Sequence, residues 1–124
     1  MTSSGDQAGQ PRIVVVGPCA SGKSTLVANL QQAGYDAHVS GQEHSEIAKL
    51  WTRMNPDVLV GLRVDLETVR ERRGQTWSST IFAAQERRLA DAFSAADLII
   101  DTAKLSEIEA LAAVTDYLEN RGTT

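Results

Sequence analysis

Apolar residues fall along this chain in short unbroken runs separated by stretches of longer period. Ile13 to Val16 is a run of four β-branched residues, Val58 to Val64 is a second, and Asp97 to Asp101 is a shorter third. None alternates apolar with polar, as expected of strands covered on both faces of a parallel sheet. Tyr35 to Ser40 is a weaker strand, with Ala37 and Val39 on one side. Between these runs the apolar period becomes helical. Gly22 to Ala33 offers Leu26, Val27 and Leu30, and Gly34 ends it. Ile47, Leu50, Trp51 and Met54 recur at i, i+3, i+4 and i+7, which predicts a helix opened by the turn Gly41 to Ser45 and stopped at Asn55 before Pro56.

Further on, Asp65 is placed to cap a short helix, Leu66 to Arg72, and Gly74 to Thr80 reads as a polar loop. Ile81 to Ala95 predicts a long helix with Phe82, Leu89 and Phe93 inward and Glu86, Arg87 and Arg88 outward or toward a cleft. A last helix, Ser106 to about Asn120, is expected to bury Ile108, Leu111, Ala112 and Leu118, with Ser106 and Glu109 spaced as a capping box. Strands alternating with helices predict a three-layer α/β domain around a small, mostly parallel sheet of about four strands with right-handed crossovers. Residues 1–11, almost free of apolar side chains, read as a disordered tail, and residues 12–121 as the one domain.

Composition narrows the function classes. A net charge of -4 leaves no surplus of Lys and Arg for a nucleic-acid backbone. No apolar run reaches the length of a bilayer span, and the N-terminus lacks a signal-peptide core, so no membrane partner is expected. A single cysteine allows no intrachain disulfide and points to the cytoplasm.

The chemistry concentrates between the first strand and the first helix. Gly17 to Ser24, GPCASGKS, fits G-x-x-x-x-G-K-[ST], the Walker A or P-loop pattern. A loop wrapping a phosphate chain must point successive N–H groups inward, which Gly17 and Gly22 permit, with Pro18, Cys19, Ala20 and Ser21 between them. Lys23 supplies positive charge to the β/γ-phosphates, the Ser24 hydroxyl can ligate Mg²⁺, and Thr25 can reach an α-phosphate oxygen. The expected cofactors are therefore ATP and Mg²⁺. Cys19 reads first as a small residue tolerated in the loop and second as a redox switch, its thiol beside N–H dipoles that could lower its pKa.

Over about residues 12 to 120 the chain resembles the P-loop kinase group, the small nucleotide and shikimate-type kinases. The resemblance rests on GPCASGKST, on VLVGLRVDLETVRERRG, similar to the segment leading into that group's arginine-bearing lid, and on RRLADAFSAADLIIDT, similar to its post-lid helix and final strand. It implies that Arg72 and Arg88 fall at lid positions, neutralising charge during transfer. It also places Thr102 to Leu105 against the adenine. Arg70 and Arg73 read as a solvated face. The chain departs from the group between the first helix and the strand before the lid, where only about twenty-three residues, Tyr35 to Asp57, stand in place of an acceptor subdomain. The group's usual acidic stretch is absent, and Glu43 in GQEHS, just past the strand expected beside the first, is the candidate to hold a Mg²⁺-bound water, ahead of Asp65.

His44 is a surface residue or a general base on the γ-phosphate side, and His38 has a weaker claim. Trp51 belongs to the core, whereas Trp77 anchors its loop or covers a ligand. The expectation is an ATP-binding, Mg²⁺-dependent phosphotransferase acting on a small-molecule acceptor near Gln42 to Ser45. Lys23, Arg72, Arg88 and Glu43 form its catalytic set, and Ser24 and Glu43 its metal ligands. One alternative is a nucleotide sensor or slow ATPase completed by a homodimer or partner chain, and another a remnant that binds phosphate alone. A GTPase is disfavoured by the lack of an N-K-x-D stretch.

Overall fold

Ile13, Val14, Val15 and Val16 have no exposed surface, and a strand hidden so completely must satisfy its backbone groups along both edges. In the computed structural model, which describes residues 10–122, that strand is β1 (Arg12–Val16). On one side it pairs in parallel with β2 (Asp36–Val39), on the other with β3 (Val58–Arg63), and β4 (Leu98–Asp101) extends the sheet beyond β3. The sheet has four strands in the order β2-β1-β3-β4. Helices α1 (Lys23–Gln32), α2 (Leu66–Arg73), α3 (Ser79–Ala95) and α4 (Glu107–Gly122) connect and cover the strands. The expected three-layer α/β architecture with a small parallel sheet is thus present. Residues 1–9 of the expected tail lie outside the described residues; Gln10, its last part but one, donates from Nε2 to the Gly34 carbonyl at 3.1 Å.

Successive side chains of a strand point to opposite faces, and β1 accordingly feeds two cores. Ile13 and Val15 pack with Leu26, Val27 and Leu30 of α1 and with Val114 and Leu118 of α4. Val14 and Val16 pack with Leu89, Ala92 and Phe93 of α3, joined at the margin by Trp51 and Met54. Gly61 of β3 makes the second core possible, since a Cβ there would lie 2.7 Å from the Phe93 ring. The other side of that ring environment is polar: the Arg63 guanidinium stands 4.7 Å from the ring centroid.

Helix ends follow their sequence signals. The Asp65 carboxylate accepts from Thr68 N at 2.7 Å, and the Thr68 side chain together with this N–H holds its pKa below the ordinary carboxylate value. The Ser106–Glu109 capping box closes in both directions, at 2.8 and 3.1 Å. Ser78 caps α3 through Ile81 N, so this helix starts at Ser79, ahead of the expected Ile81.

The helix expected through Ile47 to Met54 is not formed. Two short 3₁₀ segments, Gln42–His44 and Leu50–Met54, replace it. The cause is Gln42, fully buried, whose Nε2 donates to the Ile47 carbonyl at 2.7 Å and whose Oε1 accepts from Trp51 N at 2.9 Å. Those two backbone groups are an i, i+4 pair that would have bonded each other in an α-turn, and the Gln42 amide stands between them. The same amide donates to the Arg88 carbonyl at 3.2 Å, tying the segment to α3. Trp51 and Met54 still reach the core, but Ile47 is 50% exposed. Two further burial expectations fail: Ile108, in the first turn of α4, is 80% exposed, and Ala112 is also on the solvent side. Ala110, Val114 and Leu118 form the stripe that faces the sheet instead. Val39, at the open edge of the sheet, is exposed as well.

Gln42→Ala removes the amide and orphans a buried carbonyl and N–H, so it should cost about 2–4 kcal/mol in urea unfolding, whereas Ile108→Ser should stay within about 0.5 kcal/mol. On α3, burial pushes the Glu86 carboxyl above its ordinary value of 4.5, with Arg63 opposing weakly. A carboxyl raised on folding destabilises once it ionises, so Glu86→Gln should raise Tm at pH 7. That gain should vanish as pH falls below 4.5, where the unfolded carboxyl is protonated too.

Candidate functional site

At the carboxyl end of β1 the chain must turn immediately against β3. Gly17 makes this turn, and a Cβ on it would stand 2.9 Å from the Leu62 carbonyl and 2.7 Å from Ser21 Oγ. The loop then passes through left-handed conformations at Ala20 (φ 66) and Gly22 (φ 94) before α1 begins. No side chain caps α1, and the N–H groups of its first turn have no acceptor within the helix. They and the positive end of the helix dipole are left to the open side.

Three other elements clamp the loop. From α2, Arg72 donates to the Ala20 carbonyl and to the Thr102 carbonyl, both at 2.7 Å. After β4, Thr102 Oγ1 donates to the Ser21 carbonyl at 2.8 Å. From α3, the buried Gln85 accepts from Cys19 N at 3.0 Å and donates from Nε2 to Cys19 Sγ at 3.2 Å.

Lys23, the first residue of α1, folds back over the loop. Its ammonium donates to the Gly17 and Pro18 carbonyls at 2.8 and 3.0 Å and pairs with Glu43 Oε2 at 2.9 Å. The two side chains are only 10% and 5% exposed. The other carboxylate oxygen, Glu43 Oε1, is buried with no hydrogen-bond partner. His44 Nε2 lies 3.4 Å from Glu43 Oε2 and is mostly exposed. Cys19 Sγ, a Glu43 oxygen and a His44 ring nitrogen all lie within 4.8 Å of one another, a donor set that could hold a metal ion.

These groups surround a cleft of about 730 Å³. The loop from Cys19 and the first turn of α1 through Leu26 form one wall, Glu43 and His44 another, and Thr102 with Leu105 to Glu107 a third. Lys23, Ser24, Thr25, Glu43 and Arg72 of the expected site therefore meet in one place, and so do the Thr102 and Leu105 positions expected beside the ligand.

Other expectations are placed differently. Arg88 does not line the cleft: its Nε and one terminal nitrogen donate to Glu46 Oε2 at 2.9 and 2.8 Å, and the other terminal nitrogen reaches the Glu43 carbonyl at 3.3 Å. Arg88 in turn holds the Glu46 carboxyl below its ordinary pKa. Arg73, expected to be solvated, lines the cleft, while Arg70 donates to the Trp77 carbonyl at 3.1 Å. Trp77 itself stands away from the cleft, and His38 pairs with Asp36 at 2.6 Å. Gln85 and Thr102 were legible only in part. Gln85 shares the apolar stripe of Phe82 and Leu89, and a polar side chain on a buried stripe marks a group that needs a partner.

No family model matches the chain, and no curated protein matches it in sequence. What fold and site show together is a small three-layer α/β domain with a four-stranded parallel sheet, consistent with a generic Rossmannoid or P-loop-like fold, and with a cleft at the carboxyl ends of its strands. Among the described residues no helix is long and apolar enough to cross a membrane.

Gly17→Ala must displace the Leu62 carbonyl or the Ser21 side chain and should cost about 1–3 kcal/mol in chemical denaturation. Gly41→Ala, on the same cleft but with nothing near the added methyl, should change stability by less than about 0.5 kcal/mol.

Proposed function

We propose that the cleft binds ATP with Mg²⁺ through the loop from Gly17 to Thr25 and that the chain is a kinase-like phosphotransferase for a small acceptor. The observation that carries this reading is Lys23, an ammonium held beneath the cleft by two loop carbonyls and one carboxylate. An ammonium has three donors, and all three rest on groups that a phosphate oxygen can replace. The uncapped N-terminus of α1 adds N–H groups and a positive dipole end to the same wall.

The residues fit the metal as well. Glu43 has one buried oxygen without a partner, and Ser24 lines the same cleft. A bound Mg²⁺ would supply neutralising charge to the phosphates. Glu43 would hold its water shell, Ser24 would offer the hydroxyl, and Arg73 would add positive charge at the rim. Arg72 acts here by fixing the loop to the segment after β4, because both of its carbonyl bonds are already made. Leu105 supplies an apolar surface for a base.

A second reading, a nucleotide sensor or slow ATPase completed by a homodimer or partner chain, is favoured by Arg88. With that side chain bound to Glu46, the second lid position holds no free arginine, and Gln42 is committed to the fold instead of to an acceptor. A cleft of about 730 Å³ is also of the size that holds one small ligand.

Titration calorimetry of ATP, ADP and GTP with Mg²⁺ tests the reading. ATP should bind in preference to GTP, and Lys23→Ala should weaken it by at least about ten-fold, near 1.4 kcal/mol. Binding with no more ADP release than Lys23→Ala shows, across a screen of acceptors, would favour the partner-completed reading. No heat from any nucleotide would overturn both.

A further inference from the structure

We infer that Cys19, Glu43 and His44 form a site for a thiophilic divalent cation, for which Zn²⁺ is the probe. The inference does not depend on nucleotide binding.

Their donor atoms are a sulfur, a carboxylate oxygen and an imidazole nitrogen, all within 4.8 Å of one another. That combination is the ligand chemistry of zinc, whereas Mg²⁺ takes oxygen ligands. Zinc bonds of about 2.0–2.3 Å in a tetrahedron set ligand atoms about 3.5 Å apart, so closing the site requires movements of roughly an ångström. His44 supplies them, being the exposed member, on a turn that Gln42 anchors from below.

Two further features point to a cation here. Glu43 is buried, yet its Oε1 has no hydrogen-bond partner, an arrangement that is costly unless something positive meets it. Lys23 occupies only the other oxygen, Oε2. The second feature is the environment of the thiol. Gln85 Nε2 donates toward Cys19 Sγ at 3.2 Å, so the sulfur is held in place as an acceptor. The amide cannot be reversed, because its Oε1 accepts from Cys19 N. Gln85 thus orients the sulfur from behind, as outer partners of metal ligands do. Bound as thiolate and carboxylate, the two would match the charge of a divalent ion, and all three residues line the cleft. A cation bound there takes up Glu43 and stands in the mouth of the loop, so it would compete with any ligand that needs that carboxylate.

Zinc titrated calorimetrically into the full chain, with no nucleotide present, should bind one to one and protect Cys19 from alkylation by iodoacetamide. Cobalt should give a thiolate-to-metal absorption band that Cys19→Ser abolishes. His44→Ala, an exposed change that leaves the fold intact by circular dichroism, should weaken zinc by at least about ten-fold, about 1.4 kcal/mol. Excess Mg²⁺ should not displace it. His38→Ala should leave binding unchanged, because His38 is paired with Asp36 and does not line the cleft. Zinc affinity that survives Cys19→Ser, a cobalt spectrum without the thiolate band, or binding lost in His38→Ala would each overturn the site.

Discussion

The loop and the cleft it lines depend on the complete burial of β1. With both edges paired and both faces covered, the strand has one direction in which to release the chain, out of the carboxyl end of the sheet between β2 and β3. The next residue meets the Leu62 carbonyl of β3 at once, and only glycine fits. The loop therefore inherits its position from the hydrophobic core. Its shape is then held by Arg72, Gln85 and Thr102, drawn from α2, from α3 and from just after β4, so three connections converge on the loop from Gly17 to Gly22.

The second constraint is electrostatic. Lys23 and Glu43 are nearly dry, and removing two charges from water costs more than their attraction returns unless further hydrogen bonds help. Lys23 has that help in two loop carbonyls; the Glu43 carboxylate meets Lys23 itself on one oxygen and has no hydrogen-bond partner on the other. On the proposed reading, this asymmetry is what an anion at Lys23 and a cation at Glu43 would relieve. A phosphate with its metal would satisfy both, and so would the thiophilic ion together with the resident Lys23.

Buried glutamines link the cores to the cleft. Gln42 keeps the turn after β2 open by standing in an α-turn's hydrogen bond, which leaves Glu43 and His44 facing the loop. Had the segment after the turn folded as the helix its apolar period suggests, the Ile47 carbonyl and the Trp51 N–H would have bonded each other and the buried Gln42 amide would have lost both partners. Gln85 does the equivalent for Cys19. In both cases one amide serves a donor and an acceptor at once, which an apolar residue of the same size cannot do.

The sequence by itself determined the parallel sheet, the order of its strands along the chain, the caps at Asp65 and Ser106 and the loop, because these follow from local period, from branching at Cβ and from short fixed spacings. It also marked Lys23, Ser24 and Glu43 as the groups to expect in one site. Tertiary structure alone decided the failure of the helix at Ile47 to Met54, since the competing group, the Gln42 amide, matters only once it is buried beside α3. It decided that Arg88 would serve Glu46 and the Glu43 carbonyl instead of the cleft, a choice among partners forty-odd residues away. It decided, too, that Cys19 and Glu43, distant in the chain, would share one neighbourhood. A parallel pairing sets β2 beside β1 and so delivers the turn after β2 to the loop after β1, and no pattern along the chain encodes which side chains then meet.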